Sequence, residues 1–179
     1  MEKLFKIMLG FTNKSYSTTY KILAMVPGTF VFLVLSPIFL YLPSRYLGHL
    51  ISVSVPRPVE VVVMIIAGSI SMLLMHWSLY VLWVDGQGTP APIAPTHKLV
   101  TTGPYKLLRN PIELGTHLYL LVMGTWFDSL ATGLFCMVFG MFLGLGYIKV
   151  IEEKELKLRF QDQYDRYKNS TSCIIPRLF

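Results

Sequence analysis

Two long stretches of the chain contain no lysine or arginine, and this feature constrains the fold more than any other. No basic residue occurs between Arg57 and Lys98 or between Arg109 and Lys149. Both gaps are largely apolar, and a helix needs about 20 mostly apolar residues to cross a bilayer. Lipid offers the backbone no hydrogen-bond partner, and these runs are too long for barrel strands, so they are predicted to be membrane helices.

Four apolar segments are predicted to span the membrane, which makes the chain an all-α integral membrane bundle. The segments are residues 22–42, 59–84, 111–127 and 130–150. The third is short, so it is expected to tilt little or to thin the bilayer locally. Asp128 and Ser129 separate the last two segments, and this tight turn predicts an antiparallel helical hairpin.

The composition argues against a soluble globular domain and excludes a disordered chain. Apolar residues make up 53% and charged residues 15% of the sequence, and the mean hydropathy is +0.53. A soluble domain carries about 25% charged residues, and disordered segments are less hydrophobic than this chain.

The basic residues predict the orientation. The segment before the first span, the loop at 86–110 and the tail after residue 148 together hold 14 of the 16 lysines and arginines. Cytoplasmic segments are enriched in these residues, so both termini are predicted to be cytosolic. The net charge of +6 is then explained by topology and attraction to anionic headgroups, and no nucleic-acid partner is expected.

A single membrane domain, residues 1–179, is predicted, with a two-span part at 1–85. The loop at 86–110 is rich in Gly, Pro and Thr, and such a long irregular loop is usually functional or disordered. Gly103-Pro104 is expected to start a short helix inside it, and Asn110-Pro111 to start the third span.

The tail is predicted to be an amphipathic cytosolic helix. Leu156, Phe160, Tyr164 and Tyr167 are spaced by 4, 4 and 3 residues and share one helical face. This face is expected to dock on the bilayer or on the loop. In the last span, Gly140 and Gly144 have the spacing that lets helices approach closely.

Two interpretations of Glu113 stay open. Asn110, Pro111 and Glu113 fit a capping box at a helix start. Glu113 and His117 are also four residues apart and share a face, so they could line a polar cavity. For Glu152 and Glu153, a solvated pair at the end of the last span is the simplest interpretation.

No metal site is predicted. The histidines, which lack the spacing of a zinc site, are His49, His76, His97 and His117. Glycine-rich nucleotide-binding motifs are absent from the sequence as well.

Two stretches of the sequence carry a resemblance to a known family. The first is HKLVTTGPYKLLRNPIELG at 97–115, and the second begins at Glu152-Glu153, continues through the spaced Leu, Phe and Tyr residues and ends at Pro176-Arg177. Together with GQGTPAP at 86–92, they resemble the isoprenylcysteine carboxyl methyltransferase and phospholipid methyltransferase superfamily, in particular its bacterial members. The resemblance covers about half of the chain.

This resemblance implies an integral-membrane methyltransferase that uses S-adenosylmethionine as cofactor. It implies a bacterial inner-membrane location and a cofactor-binding region at 86–179, with the pocket at the cytosolic membrane face. The residues it assigns to cofactor binding are His97, Leu99, Val100, Gly103, Tyr105, Arg109, Asn110, Pro111, Glu152 and Glu153.

The implied substrate is a lipid or a prenylated or otherwise amphiphilic small molecule with a carboxylate or an amine. Arg109 could hold the carboxylate of the cofactor or the substrate, and an amine would need Glu113 or His117 as base. These three residues are the catalytic candidates. Many members of the superfamily have His and Tyr where this chain has Asn110 and Glu113.

Two other functions remain as alternatives. Membrane sterol reductases share a distant version of the region, so a nicotinamide-dependent reductase is one. The other is a non-catalytic lipid-binding module of the same fold. Neither the oligomeric state nor the particular substrate is indicated by the sequence.

Overall fold

The computed structural model describes residues 2–12, 14–51 and 55–175. Pro176 and Arg177, which end the second stretch of resemblance, lie outside these residues. Within the described ranges the regular structure is helical, and the extended pairings are two isolated bridges, Thr89 with Pro95 and Leu108 with Ser172. The prediction of an all-α fold is confirmed.

Seven α-helices occur in the described part of the chain. They are α1 (Glu2–Leu9), α2 (Thr18–Phe30), α3 (Ser36–Leu50), α4 (Arg57–Val84), α5 (Pro111–Phe127), α6 (Leu130–Tyr147) and α7 (Glu153–Ser170). Single π-helical segments, Val31–Leu35 and Ile148–Glu152, join α2 to α3 and α6 to α7. A short 3₁₀ helix, Gly103–Lys106, lies where Gly103-Pro104 predicts a helix start.

Among the described residues, three helical stretches are long and apolar enough to cross a membrane. They are Thr18–Leu50, Arg57–Val84 and Leu130–Ser170. The fourth predicted span forms as α5, whose 17 residues rise about 26 Å. Because a hydrocarbon core is about 30 Å thick, α5 falls slightly short of a full span, and the count of four stays a prediction.

The chain divides into two compact units. Unit 1 contains Met1–Thr29, His76–Pro111 and Tyr147–Phe179, and unit 2 contains Phe30–Met75 and Ile112–Gly146. Unit 1 therefore collects the N-terminal segment, the loop and the tail, which are the segments that the charge pattern assigns to one side of the membrane.

Unit 2 contains the predicted helical hairpin. Helix α5 ends at Phe127 and α6 begins at Leu130, so Asp128 and Ser129 form the turn. A Cβ atom on Gly124 would lie 2.7 Å from the Cα of Gly133, so glycines let the two backbones touch.

Hydrogen bonds to Asp128 stabilise this turn. Its carboxylate accepts from Thr132 Oγ1 at 2.6 Å and from Ser129, and it also pairs with Arg45 and His49. Burial raises the pKa of Asp128, but the hydrogen bonds from Thr132, His49 and Ser129 outweigh it, so the pKa lies below its ordinary value.

In unit 1, the tail helix α7 packs on the loop, which is one of the two surfaces predicted for it. Tyr167 donates a hydrogen bond of 2.6 Å to the carbonyl of Tyr105. Arg159 pairs with Glu155 at 2.7 Å and donates to the carbonyl of Thr96. The predicted amphipathic helix is found, but Gln161 has a positive φ of 45° and kinks it.

Candidate functional site

The loop at 86–97 is held in one conformation by its own backbone. The N–H of His97 donates to the carbonyl of Gly86 at 2.8 Å, and the N–H of Thr89 donates to the carbonyl of Ala94 at 2.9 Å. A Cβ atom on Gly86 would lie 2.6 Å from the carbonyl of Leu82. The first glycine of the GQGTPAP stretch is therefore explained by close backbone packing.

The next segment, residues 99–105, packs against α4. Val100 and Tyr105 are buried and Leu99 is half-buried. Gly103 has a φ of +57° and lies against Trp77 and Val81, where a Cβ atom would approach Val81 to 2.9 Å. A side chain at this position would have to bear the cost of the left-handed conformation and also the close approach to Val81, so glycine has a structural explanation of its own here.

The hydroxyl of Tyr105 is harder to ionise than that of an exposed tyrosine. Burial raises the pKa of this phenol above its ordinary value, and the negative charge of Glu152 raises it further. A tyrosine is already protonated at neutral pH, and these influences make ionisation of Tyr105 harder still.

The C-terminal segment fixes the end of the loop. The backbone N–H of Arg109 donates to Ser172 O at 2.8 Å, and that of Asn110 donates to Cys173 O at 3.1 Å. The side-chain amide of Asn110 also donates to Cys173 O and Sγ. Pro111, which is fully buried, then begins α5.

These hydrogen bonds correct the predicted capping box. In such a box the N–H of Asn110 would donate to Glu113, but it donates to Cys173 instead. The reason is tertiary, because residues 172–173 run beside residues 108–110 and accept the backbone N–H groups of Arg109 and Asn110.

Arg109 and Glu153, predicted from separate stretches of sequence, form an ion pair in unit 1. Arg109 Nη2 lies 3.3 Å from Glu153 Oε1, with the two side chains 10% and 15% exposed. Lys168 Nζ binds the other oxygen of Glu153, Oε2, at 2.6 Å. Glu153 is therefore shared between a buried and an exposed cation.

Two nitrogens of Arg109 have unused hydrogen-bonding capacity. Its Nε and Nη1 are buried and have no hydrogen-bond partner among the described residues. A buried donor without an acceptor costs about 1–3 kcal/mol. These two nitrogens carry three N–H groups, which a ligand with an acceptor group could use.

The π-helical turn shapes the position of the two glutamates. It covers Ile148–Glu152, and the N–H of Glu153 donates to the carbonyl of Ile148. Such turns often occur at functional sites. The π-helical turn contains one residue more than an α-helical turn, and it lies directly before Glu153. The residues after it therefore lie on a different face of the helix than they would in a regular α-helix.

The remaining catalytic candidates lie in unit 2. Glu113 Oε1 is 3.6 Å from His117 Nε2, and His117 is 1% exposed. Neither ring nitrogen of His117 has a hydrogen-bond partner among the described residues. The Cβ position of Gly144 would overlap Glu113 Oε1, so this glycine makes room for the carboxylate.

The structure brings predicted site residues together in two groups. In unit 1 the structure brings Arg109 to Glu153, and Glu152 close enough to influence Tyr105. In unit 2 it brings Glu113 to His117. Lys168 was not predicted as a site residue, and no local sequence signal marks it because its contact with Glu153 depends on the tertiary fold.

Comparison with protein families gives a match over more than half of the chain. A family model described as phospholipid methyltransferase matches residues 59–163. The matched region includes α4, apart from its first two residues, the loop, α5, α6 and the first half of α7, and so it contains Arg109 and Glu153. No curated protein is similar enough to count as a match.

Proposed function

Because this chain belongs to the phospholipid methyltransferase family, we propose that it is an integral-membrane enzyme that methylates a lipidic or membrane-partitioned substrate with S-adenosylmethionine. A membrane methyltransferase is what the family and the three apolar helices support. The cofactor, the substrate class and the residues below are the parts proposed here.

The proposal rests mainly on the N–H groups of Arg109 that have no acceptor among the described residues. A guanidinium recognises carboxylates by charge-assisted hydrogen bonds, and S-adenosylmethionine has one carboxylate in its methionine part. Arg109 Nε and Nη1 are buried and available. The donor set of this chain therefore fits that part of the cofactor.

The acidic and aromatic groups near Arg109 suit the rest of the cofactor. Glu152 and Glu153 are proposed to accept hydrogen bonds from its amino group or ribose hydroxyls. The apolar Leu99 and Val100 are proposed to contact its adenine ring. His97, Gly103, Tyr105, Asn110 and Pro111 complete the proposed binding set through the backbone and side-chain contacts described above.

When bound, S-adenosylmethionine supplies a methyl group on a positively charged sulfur. The protein's contribution is mainly positioning. Arg109 and Glu153 are proposed to bind and orient the cofactor. The buried side chains of Val100 and Tyr105 are proposed to exclude water from the site. A carboxylate substrate needs no base, whereas an amine needs one to take its proton, and Glu113 or His117 is proposed for that step.

The location of unit 1 relative to the membrane is part of the proposal. S-adenosylmethionine is a charged, water-soluble molecule, so its site must open to the cytosol. The excess of basic residues in the segments of unit 1 supports a cytosolic location for it. Both termini are then cytosolic, and in a bacterium the membrane is the inner membrane.

Transfer of a labelled methyl group tests the proposal. Membranes that contain the protein are incubated with S-adenosylmethionine labelled in its methyl group, and the lipid extract is counted. Label is expected with the wild type and with Arg166→Gln, an exposed arginine on α7. It should be lost with Arg109→Ala and Glu153→Ala at equal expression, and unchanged labelling by both would reject the site.

A further inference from the structure

The N-terminal strap, defined as residues 5–12 and 14–21, lies outside the family match at 59–163. Its first part belongs to α1, which packs against α7, and Met8 is 8% exposed. Its last part is stiffened by Tyr16 and Tyr20, whose rings stack at a centroid distance of 4.7 Å. The strap is therefore an ordered part of unit 1.

Lys21 fastens the strap to the beginning of the loop. Its Nζ donates to the carbonyl of Gln87 at 2.6 Å and lies 5.3 Å from the ring centroid of Trp83. Gln87 has a φ of +56°, a conformation that a non-glycine residue adopts only when its surroundings hold it. Lys21 supplies a charged donor at this strained residue.

A second contact fixes the tautomer of His97. Its Nδ1 lies 3.1 Å from the backbone carbonyl of Thr12. A carbonyl oxygen can only accept a hydrogen bond, so Nδ1 carries the proton. In the neutral ring, Nε2 then keeps its lone pair, and His97 is exposed enough to offer it.

We propose that the N-terminal strap completes the cofactor site, with Lys21 as a positioning residue for the loop at 86–97. The strap holds His97 with Nε2 as an acceptor, which suits a hydroxyl or amino group of the cofactor. This inference rests on the proposed function. It assigns a role to a segment that the family match does not cover.

Substitutions at Lys21 test the inference in the full-length protein. Lys21→Met should raise the KM for S-adenosylmethionine by up to about tenfold, the limit set by the loss of one charge-assisted hydrogen bond that orders the loop, and should change kcat less than twofold. Lys21→Arg should restore most of the affinity. Lys157→Met is the matched control, because Lys157 is an exposed lysine on α7 that pairs with Asp165 and belongs neither to the strap nor to the proposed cofactor site.

Hydrogen exchange gives a readout that does not need the cofactor. In Lys21→Met, the amides of residues 86–97 should exchange faster than in the wild type and in Lys157→Met. Lys21→Gln, which keeps an uncharged donor, should be intermediate, and it replaces Lys21→Met if that variant does not accumulate.

The outcomes separate the two proposals. An unchanged KM with unchanged exchange would overturn the role of the strap. Faster exchange with an unchanged KM would reduce Lys21 to a structural residue and overturn its role toward the cofactor. If the wild type binds no S-adenosylmethionine in a direct titration, the proposed function itself is wrong.

Discussion

Nη2 of Arg109 lies 3.3 Å from Oε1 of Glu153, although the whole hairpin α5–α6 separates the two residues in the chain. Both side chains are largely buried. Buried ion pairs add little net stability, but removing one partner leaves a costly unpaired charge. Loss of activity in a single variant therefore has to be separated from loss of folding.

A double variant makes that separation. Arg109→Met and Glu153→Met should each lower the stability of the purified protein, by about 3–5 kcal/mol when the remaining charge has no other partner. Lys168 also binds Glu153, so the loss should be smaller for Arg109→Met. The double variant should unfold at a higher temperature than Glu153→Met alone, because Glu153→Met leaves the buried Arg109 without its carboxylate partner, yet it should bind no cofactor. A double variant less stable than both single variants would contradict this picture.

Gly144→Ala tests whether the last span makes room for Glu113. The new Cβ would overlap Glu113 Oε1, so the carboxylate has to move, at about 1–3 kcal/mol. Gly146→Ala is the control, because its Cβ would meet nothing within 4 Å. Thermal unfolding should show a lower midpoint for Gly144→Ala and an unchanged or higher one for Gly146→Ala. Equal midpoints would mean that the carboxylate of Glu113 does not need the space beside Gly144.

Gly103→Ala tests the 3₁₀ turn. The residue has a φ of +57° and would place a Cβ 2.9 Å from Val81, so a loss of about 1–2 kcal/mol is expected from the left-handed backbone alone. Gly28→Ala, in an open helical position, should cost nothing. Denaturant titration of both variants in detergent measures the difference, and equal midpoints would refute the strained geometry.

The depressed pKa of Asp128 predicts a pH dependence. Because the folded pKa lies below the ordinary value of 3.8, the carboxylate stabilises the fold at higher pH, and this stability is lost as the pH falls through the folded pKa. Asp128→Asn should lower the unfolding midpoint at pH 7, and the difference from the wild type should shrink below about pH 4. Asp162→Asn, at an exposed site on α7, is the control. If the difference in unfolding midpoint between the wild type and Asp128→Asn stays constant down to pH 2, the lowered pKa of Asp128 is contradicted.

The helices could be predicted from the sequence because their signal is local. Long apolar runs and the charge gaps mark α4 and α6, and the Asp128–Ser129 turn marks the hairpin. The π-helical segments and the kink at Gln161 could not be predicted, since they arise where packing overrides the regular period of a helix.

The site could be predicted only where residues carry a family pattern. Arg109 and Glu153 stand in the two stretches of resemblance, and the fold brings them together. The partners of Asn110 could not be predicted, because a capping box is a local pattern and residues 172–173 compete for the same donor from far along the chain. The contacts of Lys168 and Lys21 are likewise set by tertiary structure.

Calorimetric titration of the purified protein with S-adenosylmethionine tests the central claim most directly. We expect saturable binding by the wild type, binding weakened about 10–100-fold by Arg109→Lys because the planar fork is lost, and no detectable binding by Arg109→Ala, with Arg166→Gln equal to the wild type. No binding by the folded wild type, or equal affinity in all four proteins, would contradict the account.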